Sequence, residues 1–194
     1  TGEDTLSLHD ALPISPGGLL IFGGAPKVGK SDFLISWLVH MAAGKPFLEM
    51  KPARPLKIFY LQTEIGYHYL RERLKQLELD PDVLEQISNN LVITPQTRML
   101  LNDEGIAQIV QTINDFFDPK TVDLIVIDPL RNIFDAGDHG TENDNNAMLF
   151  FLQERLERLR HQVNPNAGMI VAHHTKKITK KLLEEDPFQS LSGA

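Results

Sequence analysis

The sequence predicts an α/β fold with a mainly parallel sheet. Short apolar runs alternate with helical patterns along its length, five strand-like runs in all. Val122–Ile127 is aliphatic and β-branched, the pattern of a strand covered on both faces. A complete Gly-x-x-x-x-Gly-Lys-Ser stretch at 24–31 sits between a strand and a helix.

The elements follow in order. Leu19–Gly23 reads as a strand, and a Gly/Pro loop comes next. Ser31–Ala43 reads as a helix, with Phe33, Leu34, Trp37, Leu38 and Met41 at helical spacing and Gly44 as its stop. Lys45–Pro55 holds three prolines and reads as a loop. Lys57–Gln62 is a strand. Tyr67–Leu79 is a helix with Leu70, Leu74 and Leu77 on one face, ended by Asp80-Pro81. Leu91–Thr94 is a strand. Glu104–Phe117 is a helix whose apolar stripe is Ile106, Ile109, Val110, Ile113 and Phe117. After Val122–Ile127 comes a polar loop, Arg131–Asn146. Ala147–Val163 is a helix, with Leu149, Leu152, Leu156, Leu159 and Val163 stepping by three and four. Its Glu154 and Arg158 fall at i, i+4 and read as a surface pair. Gly168–Ala172 is the fifth strand.

Composition narrows the function. The chain has 194 residues, enough for one domain with a sizeable core. It has no cysteine, which excludes disulfides, zinc–thiolate sites and a thiol nucleophile, and fits a cytoplasmic setting. The net charge of −7 excludes a globally basic coat for nucleic acid, though not a local basic patch. No apolar run reaches the roughly 18–20 residues of a membrane span. Thr1–Ser15 resembles a translated sequencing-adapter peptide, so the domain is expected to begin at Pro16 and run to Ala194. The final Gln189-Ser-Leu-Ser-Gly-Ala194 reads as the open end of a longer gene.

The stretch 24–31 points to phosphate. Glycines let backbone N–H groups close around phosphate oxygens, and the following helix adds the positive end of its dipole. The binding segment is Gly24, Ala25, Pro26, Lys27, Val28, Gly29, Lys30, Ser31 and Asp32. Lys30 supplies charge at the β- and γ-phosphates of a nucleotide, and the Ser31 hydroxyl is an oxygen ligand for Mg²⁺. Asp128 ends the strand Val122–Ile127, where an open α/β sheet binds its ligands, and is expected to hold the Mg²⁺ shell. Hydrolysis needs another acid to orient or deprotonate water, and Glu64, past the end of the second strand, is the candidate. His173 and His174 end the fifth strand. They are placed to sense the γ-phosphate, and as adjacent strand residues they face opposite ways and make a poor metal chelate.

Taken together, these residues resemble a known family. Gly-Gly-Ala-Pro-Lys-Val-Gly-Lys-Ser, Tyr-Leu-Gln-Thr-Glu, Ile-Val-Ile-Asp-Pro-Leu, Thr-Glu-Asn-Asp (141–144) and Ala-His-His-Thr-Lys-Lys occur in this order. The set looks like the RepA-like ATPases, a RecA/DnaB-type branch of the P-loop NTPases that contains plasmid and mobile-element hexameric helicases. The resemblance implies a RecA-like core and a homo-oligomeric ring that hydrolyses ATP with Mg²⁺ while acting on single-stranded DNA. It implies Glu64 as catalytic base and His174 rather than His173 as the phosphate sensor. It also implies a trans-acting arginine beyond the Ser-Gly-Ala segment. In such a ring the loops after Val122–Ile127 and Gly168–Ala172 face the channel. The first carries Asp135, Asp138, Glu142 and Asp144; the second carries Lys176, Lys177, Lys180 and Lys181, which read either as a phosphate-tracking group without interleaved aromatics or as a solvated basic turn. Two rival readings share the core: a nucleotide-dependent switch or assembly ATPase that unwinds nothing, and a recombinase-type filament ATPase.

Overall fold

A computed structural model describes residues 13–175. The strands are β1 (Leu19–Gly24), β2 (Ile58–Gln62), β3 (Leu91–Ile93), β4 (Leu124–Asp128) and β5 (Gly168–His174). They form one sheet of order β1-β5-β4-β2-β3, and every pairing is parallel. All five strands therefore end on the same edge. Register sets the ends side by side: Gly24 opposite His174, and Gln62 opposite Asp128.

Side-chain alternation sorts the strands into two cores. Ile58, Tyr60, Leu124, Val126, Ile170 and Ala172 face helix α1 (Lys30–Ala42), meeting Leu34, Ile35, Trp37, Leu38 and Met41. Phe59, Leu61, Ile125, Ile127, Met169 and Val171 face the opposite layer. That layer holds Ile106, Ile109 and Ile113 of one helix and Phe151, Leu156, Leu159 and Val163 of the last helical stretch. β2 and β4 are buried along their whole length, as the β4 pattern requires. Ile14 packs partly buried against the α1-side core.

Local chemistry places most helix ends. α1 stops where expected: the Gly44 N–H reaches back to the Met41 carbonyl and that of Lys45 to His40. α2 (Tyr67–Lys75) ends four residues earlier than the leucine spacing predicts. The chain turns at Glu78, whose φ is 45°, and Leu74 and Leu77 pack partly buried without a further helical turn. The following helix, α3 (Pro81–Asn90), is absent from the sequence reading, which took Pro81 only as a stop. Proline at the first helical position starts a helix as readily as it ends one, and α3 buries no residue fully, so it lacks a strong apolar stripe. α4 (Asp103–Phe116) is capped by Asn102, whose side chain accepts from the Gly105 N–H at 2.9 Å.

The helix expected over Ala147–Val163 comes in three parts. α5 (Asn145–Phe150) starts two residues early, because the Asp144 carboxylate accepts from the Asn146 and Ala147 N–H groups. A π-helical stretch follows over Phe151–Leu156, and α6 (Glu157–Val163) completes the run. The wider winding takes Glu154 out of the i, i+4 alignment of a regular helix. The expected Glu154–Arg158 pair is accordingly not formed; Arg158 pairs with Asp103 at 2.8 Å.

Candidate functional site: a phosphate cleft at the strand ends

The site lies at the carboxyl edge, where β1, β5, β4 and β2 end in that order. β1 runs into the loop from Gly24, and α1 begins at Lys30. Gly29 has φ of 87°, a left-handed conformation that a side chain would strain. At Gly24 a Cβ would press on Lys30 Cδ at 3.2 Å and Val28 Cγ2 at 3.3 Å, so the lysine stem needs the bare backbone there.

A cleft of about 330 Å³ opens over this loop. Lys27, Gly29, Lys30, Ser31 and Asp32 line it from the loop and α1; Glu64, Ile65 and Arg73 from the β2 side; Asp128 and His174 from β4 and β5. The Gly24 and Ala25 carbonyls accept from Lys30 Nζ at 2.9 and 3.0 Å. The ammonium is thus folded onto its own loop. Pro26 lines a neighbouring cleft, and Val28 is exposed.

The sequence candidates converge. His174 Nδ1 lies 3.2 Å from Lys30 Nζ, and His174 Nε2 lies 3.7 Å from Glu64 Oε1. His174 therefore bridges the lysine and the proposed base. Burial lowers the Lys30 pKa, while the Asp128 and Glu64 carboxylates oppose that shift.

Asp128 is 2% exposed. One of its oxygens, Oδ2, accepts from the Tyr60 hydroxyl at 2.7 Å. Its backbone carbonyl accepts from the Thr63 N–H at 3.0 Å and the Thr63 hydroxyl at 3.2 Å. Burial, and then the Asp128 charge beside it, push the Tyr60 hydroxyl well above its ordinary pKa, so it stays a donor. The peptide that follows, Asp128–Pro129, is cis.

His173 points the other way, as strand alternation demands. It is 6% exposed, its Nδ1 has no partner, and it lines a second cleft of about 450 Å³. Glu64 and His174 form the shared wall of the two clefts; Arg131, Asn132 and Glu142 complete the second. Burial lowers the His173 pKa, and His174 and Lys30 add to the shift.

The structure adds two residues that the sequence reading missed. Arg73 of α2 enters the phosphate cleft and pairs with Asp32 at 2.9 Å. Its signal was the i, i+3 step from the buried Leu70. Tyr60 is the other. In the loop after β4, three of the four acids are engaged: Glu142 lies 3.4 Å from Arg131, Asp135 lies 2.9 Å from Arg155, and Asp144 caps α5. Lys176, Lys177, Lys180 and Lys181 lie outside the described residues.

The oxygen set fits Mg²⁺. Ser31 and Asp128 line one cleft as hard oxygen donors, and among the described residues no group of three or more His, Asp or Glu gathers to cage a metal. Mg²⁺ commonly uses one or two protein oxygens, with water and phosphate filling its octahedron. No helix of the described residues is long and apolar enough to cross a membrane.

A family model described as an AAA domain matches residues 11–179, most of the chain. No curated protein matches.

Proposed function

The chain belongs to the AAA domain family of P-loop ATPases, and on that premise we propose that it is the motor domain of a RepA-like hexameric helicase acting on single-stranded DNA. The observation that carries the catalytic half is the bridge from Lys30 through His174 to Glu64. It joins a phosphate-binding cation, a polar sensor and an acid on one cleft wall. ATP and Mg²⁺ are the ligands this family generally uses.

The chemistry follows from those positions. Lys30 leaves the Gly24 and Ala25 carbonyls for the β- and γ-phosphates, and the backbone N–H groups of 27–31 close on the oxygens. Glu64 orients a water in line with the γ-phosphate and takes its proton as the O–P bond forms and the bond to the leaving ADP breaks. His174 touches both Lys30 and Glu64, so a γ-phosphate between them would change its contacts and report hydrolysis to β5. Ser31 and Asp128 would hold Mg²⁺, which supplies charge neutralisation on the phosphates. A trans-acting arginine from a neighbouring subunit would complete the site, and Lys176, Lys177, Lys180 and Lys181 would track DNA phosphates in the channel.

ATP turnover with and without single-stranded DNA tests this reading. DNA is expected to raise turnover several-fold. Lys30→Ala should abolish it, and Glu64→Gln should lower it by about 10²–10⁴-fold. Neutralising the four lysines should remove the DNA response while leaving DNA-free turnover. Lys30-dependent turnover that ignores DNA would replace the helicase with a nucleotide-dependent switch. Unchanged turnover in Glu64→Gln would remove Glu64 as the base.

A further inference from the structure

The buried contact between Tyr60 and Asp128 reaches beyond packing. Tyr60 has no exposed surface, and its ring is held in the α1-side core. Its neighbour in register across the β2–β4 ladder is Val126, so Asp128 is the diagonal residue two positions on and on the same face. Among the described residues, the hydroxyl hydrogen-bonds to that carboxylate alone. Among the described residues, Tyr60 is the one side chain that hydrogen-bonds to the Asp128 carboxylate.

A carboxylate torsion is otherwise broad and two-fold. Here the ring cannot move, so the hydroxyl fixes which oxygen is bound and which is free. Oδ2 is occupied; among the described residues no side chain hydrogen-bonds to Oδ1, and Asp128 lines the cleft. An aspartate held this way offers a single oxygen, directly or through water. Mg²⁺ accepts that arrangement, because it demands near-ideal octahedral geometry and keeps its waters. Ca²⁺ is larger, takes six to eight oxygens and readily uses a carboxylate through both.

We propose that Tyr60 is a positioning residue for the metal-shell carboxylate: its hydroxyl holds Asp128 to one free oxygen and thereby favours Mg²⁺ over Ca²⁺ at the nucleotide site. This rests on the reading of Asp128 as the Mg²⁺-shell acid.

The test is binding, not turnover. A fluorescent ATP analogue is titrated into the protein at rising Mg²⁺, and separately at rising Ca²⁺. Tyr60→Phe keeps the ring and deletes the hydroxyl. The expected result is a rise of about tenfold in the Mg²⁺ half-saturation, the size of other losses of groups that orient a metal ligand. The rise for Ca²⁺ should be clearly smaller. Asp128→Asn should raise the Mg²⁺ value at least as far, and Tyr60→Phe should add nothing in that background. An unchanged Mg²⁺ value in Tyr60→Phe, or equal rises for the two ions, overturns the proposal while Asp128 stands. If Asp128→Asn leaves the metal dependence at the wild-type value, the reading of Asp128 falls and the role of Tyr60 with it. A second measurement does not depend on Tyr60→Phe folding. The chain has three tyrosines, and Tyr67 and Tyr69 are exposed, so with ¹³C-labelled tyrosine Tyr67→Phe/Tyr69→Phe leaves Tyr60 as the sole labelled ring. Its ring Cζ resonance should shift when the Mg²⁺–nucleotide binds, and a resonance that stays put overturns the proposal.

Discussion

The face of the sheet under α1 and the face under α4 and α6 share β2, β4 and β5, and alternate residues of each strand supply them. Burial is equally complete on both. Tyr60, Val126 and Ile170 on the first are as hidden as Ile125, Ile127 and Val171 on the second. What differs is the last residue of each strand. Counting by two from the α1-side core brings β4 to Asp128 and β5 to His174, directly above the loop that launches α1. Counting by two on the other face brings β5 to His173, which opens on the neighbouring cleft. A one-residue slip in β5 would exchange the two histidines. The lesson is that the hydrophobic pattern, by fixing register, also fixes which polar tip meets the phosphate loop.

The largest expected effects separate the faces by kind. Phe151 is fully buried in the α4/α6 core, and Phe151→Ala should cost about 3–5 kcal/mol of unfolding free energy. Its turnover per folded molecule should stay near wild type. Lys30→Ala should do the reverse: loss of turnover, with stability within about 1 kcal/mol, since the lost hydrogen bonds are offset by removing a partly desolvated charge. Urea unfolding and single-turnover assays on the two variants measure both axes. If Lys30→Ala unfolded the chain as Phe151→Ala does, the loop would be part of the core, and the contrast between faces would fail.

A smaller contrast lies within the α4/α6 layer. Asp103 accepts from Arg155 at 2.9 Å and from Arg158 at 2.8 Å, so distance does not distinguish the two arginines. Burial does. Arg155 is largely covered and also pairs with Asp135 at 2.9 Å, itself largely covered, whereas Arg158 is half exposed. Arg158→Ala should change stability by under about 0.5 kcal/mol. Arg155→Ala should cost about 1–3 kcal/mol, because it strands Asp135 without its cation. Equal losses in urea unfolding would mean that burial has no say here.

The same logic explains what could be read before the structure. Strands and the phosphate loop were legible because their signals are local: aliphatic runs, a glycine-lysine-serine motif, an acid at a strand tip. Glu64, Asp128 and His174 could be named as candidates for the same reason. Tyr60 was not legible as a partner of Asp128, because their meeting depends on β2 pairing with β4, 68 positions apart. No local pattern reports which strands are neighbours. α3 was missed for want of a buried stripe, and the π-helical stretch because leucines stepping by three and four fit a regular helix equally well. Arg73 went unnamed because its cleft partner, Asp32, lies on another helix far off in sequence, and no local pattern connects the two.

The smallest expected effect tests the two histidines, and it is a slope, not a step. His173 is buried, and its pKa lies below the ordinary 6.5 because the folded state disfavours its charge. Below pH 6.5 the unfolded chain therefore takes up a proton at this position before the folded chain does. The unfolded state binds more protons, so His173 makes stability fall as pH falls from 6.5 toward its folded pKa; above pH 6.5 it contributes nothing. Replacing it with Asn removes that contribution and leaves those of the other histidines in place. Unfolding free energies at pH 7.5 and 5.5 should thus show a larger loss in wild type than in His173→Asn, and the difference between the two proteins should shrink to a constant above pH 7. Equal losses would mean that His173 is as free to charge in the fold as in the unfolded chain. The cleft it faces would then hold enough water, or enough of the Glu64 and Glu142 charge, to cancel its burial, and the second cleft would be a solvated trough instead of a dry wall behind the phosphate site.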